Sequence, residues 1–199
     1  MIERILILVA ILLAGVIAGV GLLWHPETPE RPLPKAQAPA GGDFTLQSAR
    51  GAVSLKDFRG KLVLLYFGYT YCPDICPTSL AATVTGLKQL TPEEAAKVAM
   101  IFISVDPQRD TPARLAEYVE FFDPSLVGVT GEPAVIADIA RRYGVFYSAQ
   151  KVDSAGGYVV DHSADTLIVA PDGRLVARIA HATPPAEVAV AIRKHLNLP

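Results

Sequence analysis

An α/β fold, a central mixed β-sheet flanked by helices and preceded by a membrane anchor, is predicted by three observations. Two apolar runs, "KLVLLYFGY" and "VAMIFISV", have the unbroken character of strands covered on both faces. Segments with apolar residues at helical spacing follow them, over Thr78 to Leu90, in "TPARLAEYVEFF" and over Pro133 to Tyr143. Ahead of both, the 19 residues from Ile5 to Leu23 carry no charge. At about 1.5 Å per residue, such a helix crosses most of a ~30 Å hydrocarbon layer.

Taken in order, residues 1–23 are expected to form a retained, single-pass anchor, because the apolar run exceeds that of a cleaved signal and lacks a clean A-x-A site. Arg4 and the terminal amine are balanced by Arg31 and Lys35 across the span. The short N-terminal tail therefore decides for N-in, which places the rest of the chain on the extracytoplasmic (periplasmic or outer) face of the cell membrane, where disulfides persist. Residues 24–42, "WHPETPERPLPKAQAPAGG", hold five prolines and end in two glycines. That is an extended tether. The folded domain is expected over residues 43–199.

In that domain "FTLQSARGAVSL" alternates polar and apolar around an Arg-Gly turn, predicting a hairpin. The first buried strand, Leu62 to Phe67, is followed by the Thr78 helix, the second strand at 98 to 105, and a helix that opens on Thr-Pro. A short strand at Leu126 to Val129, the Pro133 helix, a hairpin of Thr166 to Val169 with Leu175 to Ile179 turning on "PDG", and a last helix at Pro184 to Leu196 complete it. No internal repeat is present. The composition, 51% hydrophobic and 19% charged, is that of a globular core, and a net charge of −2 without a Lys/Arg cluster argues against a nucleic-acid partner.

The two cysteines, Cys72 and Cys76, stand in "YTYCPDICPTSL", where the first buried strand hands over to a helix. That is a thioredoxin-like arrangement. Unpaired N–H groups and partial positive charge at a helix N-terminus favour thiolate over thiol. Four residues apart on a helix, both sulfurs can converge on one ion or close a disulfide. Three intervening residues, against the two of thioredoxin-type oxidoreductases, weigh against simple disulfide exchange without forbidding it. A structural disulfide across so short a loop contributes little stability.

A four-thiolate zinc site is excluded, so a metal needs a third ligand. Of the four histidines, His25 lies in the tether, His181 precedes "TPP" at a helix start, and His195 lies near the end of the last helix as a cation favourable to its dipole. His162, in "YVVDHSADTLIVAPDG", is placed in a loop just before a buried strand, where sites form. Two thiolates and an imidazole suit copper, with zinc as the alternative.

Together "GYTYCPDICPTSL", "SVDPQRDTP", "YVEFFDP" and "YVVDHSADTLIVAPDG" resemble the Sco/SenC family of membrane-anchored copper proteins, from about Phe44 to the C-terminus. The resemblance implies a thioredoxin-like fold on an N-terminal tether, with Cys72, Cys76 and His162 as ligands of copper, Cu(I) or Cu(II). It implies delivery of copper to the binuclear copper centre of cytochrome c oxidase subunit II, or preparation of that subunit's thiols. An upstream copper donor and a thiol reductant would be further partners. It also draws in Asp74, between the cysteines, which can tune the thiolates, face a partner or favour the helix dipole. Asp161 can accept from the His162 ring or face a partner, and Asp106 and Asp110 recur near the metal loop, Asp110 read first as a turn or helix-entry residue. Two rivals share the same thiols. One is an enzyme, a thiol-disulfide oxidoreductase or a peroxidase of thioredoxin-like ancestry, in which a Cys72–Cys76 disulfide is the working state; the other is a copper-responsive redox sensor.

Overall fold

The computed structural model describes residues 40–152 and 157–196, together with Leu13. Among them no helix is long and apolar enough to cross a membrane; the expected anchor over 1–23 and most of the tether lie outside the described residues.

The strand β3 (Leu62–Gly68) is buried at all seven positions, as its unbroken apolar run requires. It pairs in parallel with β4 (Val98–Ser104), which pairs in parallel with β5 (Val127–Val129). On its other side β3 pairs antiparallel with β8 (Thr166–Val169), and β8 with β9 (Leu175–Ile179). The order β5-β4-β3-β8-β9 makes one mixed, five-stranded sheet. Each of its buried aliphatic side chains contributes about 1.5–3 kcal/mol. β1 (Thr45–Ser48) and β2 (Gly51–Ser54) form the expected hairpin, and Gln47 bridges it to Thr130.

Among residues 40–196 as described, five α-helices accompany the sheet: α1 (Ile75–Leu87), α2 (Pro92–Ala95), α3 (Pro112–Phe122), α4 (Pro133–Tyr143) and α5 (Pro185–His195). Their starts follow local chemistry. Thr91 and Thr111 each accept an N–H of the first turn, and proline follows both. α1 begins three residues ahead of the sequence expectation, so Cys76 falls in its first turn. α1 and α5 pack closely at Gly86, where a Cβ would stand 2.7 Å from Val188 and 2.9 Å from the Pro185 carbonyl.

One element has no counterpart in the sequence reading. β6 (Tyr147–Val152) and β7 (Gly157–His162) form a separate two-stranded sheet. His162 is therefore the last residue of a strand and not a loop residue. The polar run "SAQKVDSAGG" conceals the alternation that would mark this hairpin.

Candidate metal centre

β3 ends at Gly68, and the chain turns so that the Cys72 N–H bonds the Tyr69 carbonyl at 3.2 Å. Cys72 thus precedes the helix, with Asp74 at the N-cap and Cys76 the second helical residue. The two cysteines do not share a helix face, as four-residue spacing suggested; the turn brings them together instead. The Cys76 N–H points at Cys72 Sγ, 3.4 Å away. Gly68 makes room for the second sulfur, since a Cβ there would lie 2.7 Å from Cys76 Sγ.

β7 delivers the third group. His162 Nε2 stands 3.1 Å from Cys76 Sγ, and one donor atom from each of Cys72, Cys76 and His162 lies within 4.8 Å of the others. Among the described residues this is the one group of three His, Cys, Asp or Glu side chains that can hold a metal. The imidazole is wedged edge-on between Tyr66 and Tyr69, with centroids 6.2 and 5.8 Å away. Its Nδ1 lies 2.9 Å from the Ser163 carbonyl. A carbonyl only accepts, so Nδ1 carries the proton and the Nε2 lone pair faces the sulfurs.

Both cysteines are reduced, Cys76 fully buried and Cys72 9% exposed. They divide one negative charge. The hydrogen bond from Cys76 is the main cause that holds Cys72 down to about 3, against the opposing effect of burial. Bonding to Cys72 and burial push the Cys76 thiol far above the ordinary range. The dithiol at neutral pH is one thiolate and one thiol. Burial, and then the nearby Cys76, likewise keep the Tyr66 phenol protonated. Two soft sulfurs and one unprotonated imidazole nitrogen, in a buried pocket, fit a copper ion better than a hard oxygen-seeking cation.

A cleft of about 300 Å³ opens onto Cys72 and His162, with Cys76 buried behind them, and is lined also by Asp74 and Asp161. Asp74 is exposed and makes no capping hydrogen bond from its side chain. Asp161 is exposed too, and it is the Ser163 carbonyl that receives the His162 ring N–H. Neither carboxylate joins the cluster of three. His181 bonds Ser79 through Nδ1 at 2.8 Å. Burial, with Lys194 beside it, holds His195 below the usual imidazole range, which opposes the cationic role expected at a helix end. His25 lies outside the described residues.

The loop after β4 holds what sequence reasoning undervalued. Asp110 is fully buried and accepts from the Thr70 N–H, the Thr70 hydroxyl and the Ser104 hydroxyl at 3.0, 2.6 and 2.7 Å. It ties the approach to Cys72 onto β4 and is not merely an entry residue for α3. The available signal was two carboxylates around an arginine directly after a buried strand.

The SCO1/SenC family model matches residues 33–197. Bovine "Protein SCO2 homolog, mitochondrial" (Bos taurus) is 44% identical over 163 residues, covering 80% of this chain and 61% of the relative. A "SCO2-like protein" of Rickettsia conorii is 34% identical over 194 residues, covering 92% and 94%. The structure of Bradyrhizobium japonicum ScoI with copper bound superposes with a TM-score of 0.71 at 41% identity, covering 78% of this chain and 99% of that one. The chain thus spans about three fifths of the mammalian relative it matches.

Proposed function

This chain belongs to the SCO1/SenC family, and on that premise we propose that it is a copper carrier, with Cys72, Cys76 and His162 holding the ion as cargo. The observation that carries the reading is the convergence of two sulfurs and one imidazole nitrogen within 4.8 Å. Copper is the metal that relatives hold, and the donor set suits it. Cys72 offers a ready thiolate, Cys76 gives up its proton on loading, and His162 presents an unprotonated nitrogen without rearrangement.

The acceptor is the binuclear copper site of cytochrome c oxidase subunit II, to which copper passes by stepwise ligand exchange. An upstream donor reloads the site and a thiol reductant keeps it open, because a Cys72–Cys76 disulfide would remove both sulfur donors. Residues 1–23 anchor the protein in the membrane with residues 43–199 on the extracytoplasmic face, and residues 24–42 give the domain its reach.

The test is anaerobic copper binding by the reduced full-length chain, compared with His162→Ala and Cys76→Ser. One tightly held ion, weakened in both variants, is expected. Binding that is absent, or equally tight without His162, sinks the proposal. A second reading, reduction of the oxidase subunit's cysteines, is favoured by the low-lying Cys72 thiolate. Such activity should survive His162→Ala, which separates the two.

A further inference from the structure

Among the described residues, the hairpin that brings His162 to the thiols shares no ladder with the five-stranded sheet. Other contacts must seat it. The strand β7 is gripped four residues before His162 by side chains of the loop after β4. The Asp106 carboxylate, 3% exposed, accepts from Arg109 Nε and from the Tyr158 hydroxyl. Arg109 Nη1 donates to the Tyr158 carbonyl at 2.9 Å, and the guanidinium carbon lies 3.7 Å from the Tyr158 ring centroid. The guanidinium carbon also stands 5.6 Å from the centroid of the Tyr69 ring. The Tyr69 hydroxyl accepts the Val160 N–H at 3.3 Å, and its ring meets His162 edge-on.

Tyr158, Val160 and His162 are alternate residues of one strand, so they share a face. Holding Tyr158 therefore sets the face that His162 turns to the sulfurs, and a slip of one residue would turn the imidazole away. The arrangement carries a cost. Arg109 Nη2 is buried and, among the described residues, has no partner, which leaves the desolvation of that donor uncompensated.

We infer that Arg109, braced by Asp106, is a positioning residue that fixes β7 so that His162 Nε2 is presented to Cys72 and Cys76. Its consequence for copper rests on the carrier reading; the presentation itself belongs to the metal-free protein. The experiment uses the reduced full-length chain and its Arg109→Gln, Tyr158→Phe and His162→Ala variants, with two readouts. In the metal-free protein, the His162 imidazole NMR resonances should move toward those of a solvated ring in Arg109→Gln. They should change little in Tyr158→Phe, which keeps the ring and carbonyl under the guanidinium. With copper added, Arg109→Gln should bind about 10- to 100-fold more weakly. The nitrogen coupling in its Cu(II) electron paramagnetic resonance spectrum should fade toward that of His162→Ala.

Unchanged imidazole resonances and an unchanged copper spectrum in Arg109→Gln overturn the inference, even if its melting temperature falls. If Arg109→Gln does not fold, Arg109→Lys, which keeps the charge and loses the fork, decides by the same resonances. If the natural protein binds no copper, or His162→Ala binds it as tightly, the carrier reading fails while the imidazole resonances still decide the positioning.

Discussion

At the scale of single residues, the centre depends on what is absent at Gly68 as much as on the sulfur beside it. An alanine there would place its Cβ 2.7 Å from Cys76 Sγ, 3.0 Å from Tyr66 and 3.1 Å from Phe102. None of these can yield cheaply, because Tyr66, Phe102 and Cys76 are all fully buried. Gly68→Ala should lower stability by about 1–3 kcal/mol through overpacking and weaken copper binding by displacing the Cys76 sulfur. Denaturant unfolding together with a copper titration checks this, and a variant equal to the natural protein in both would refute it. The two cysteines were legible as a pair in the sequence from their spacing alone. The glycine was not, because its meaning lies in which atoms come to rest opposite it.

At the scale of elements, the turn into α1 decides how the dithiol ionises. Cys72 receives the Cys76 N–H and sits just ahead of the helix start, the end of a helix that favours negative charge. With Cys72 held down to about 3 against an ordinary thiol near 8.5, the unfolded chain binds one proton more than the folded one between those values. Stability of the reduced protein therefore rises with pH across that window and is lost as pH falls toward about 3. Above about pH 8.5 the sign reverses, since Cys76 keeps a proton that the unfolded chain releases. Thiolate absorbance should report one thiolate at about pH 5 and still only one at about pH 9.5; two thiols titrating together near their ordinary value would contradict the division of charge. The helix itself was visible in apolar spacing, but its start was not. The chain enters through Asp74 with no side-chain cap to announce it.

At the scale of the whole molecule, function is proposed to join a tethered anchor to a metal-carrying domain. Deletion of residues 1–23 should move the protein from the membrane fraction to the soluble fraction and leave copper stoichiometry unchanged. Retention in the membrane fraction, checked by fractionation and immunodetection, would count against the anchor. The sheet of β5-β4-β3-β8-β9 was foreseeable because strands buried on both faces leave an unbroken apolar signature, and Thr-Pro marks a helix start. Cys72 and Cys76 were foreseeable because they are neighbours in the chain. Short-range chemistry thus made strand character, helix entry and a pair of thiols with room for one more ligand readable along the chain. That His162, 86 residues from Cys76, meets it at 3.1 Å follows from packing between elements far apart in the chain. The same packing sets His162 at the end of a hairpin whose Tyr158 is held by Asp106 and Arg109. The reason is physical: the convergence of distant side chains is set by packing and by hydrogen bonds between separate elements, and neither leaves a periodic mark on the chain that carries them.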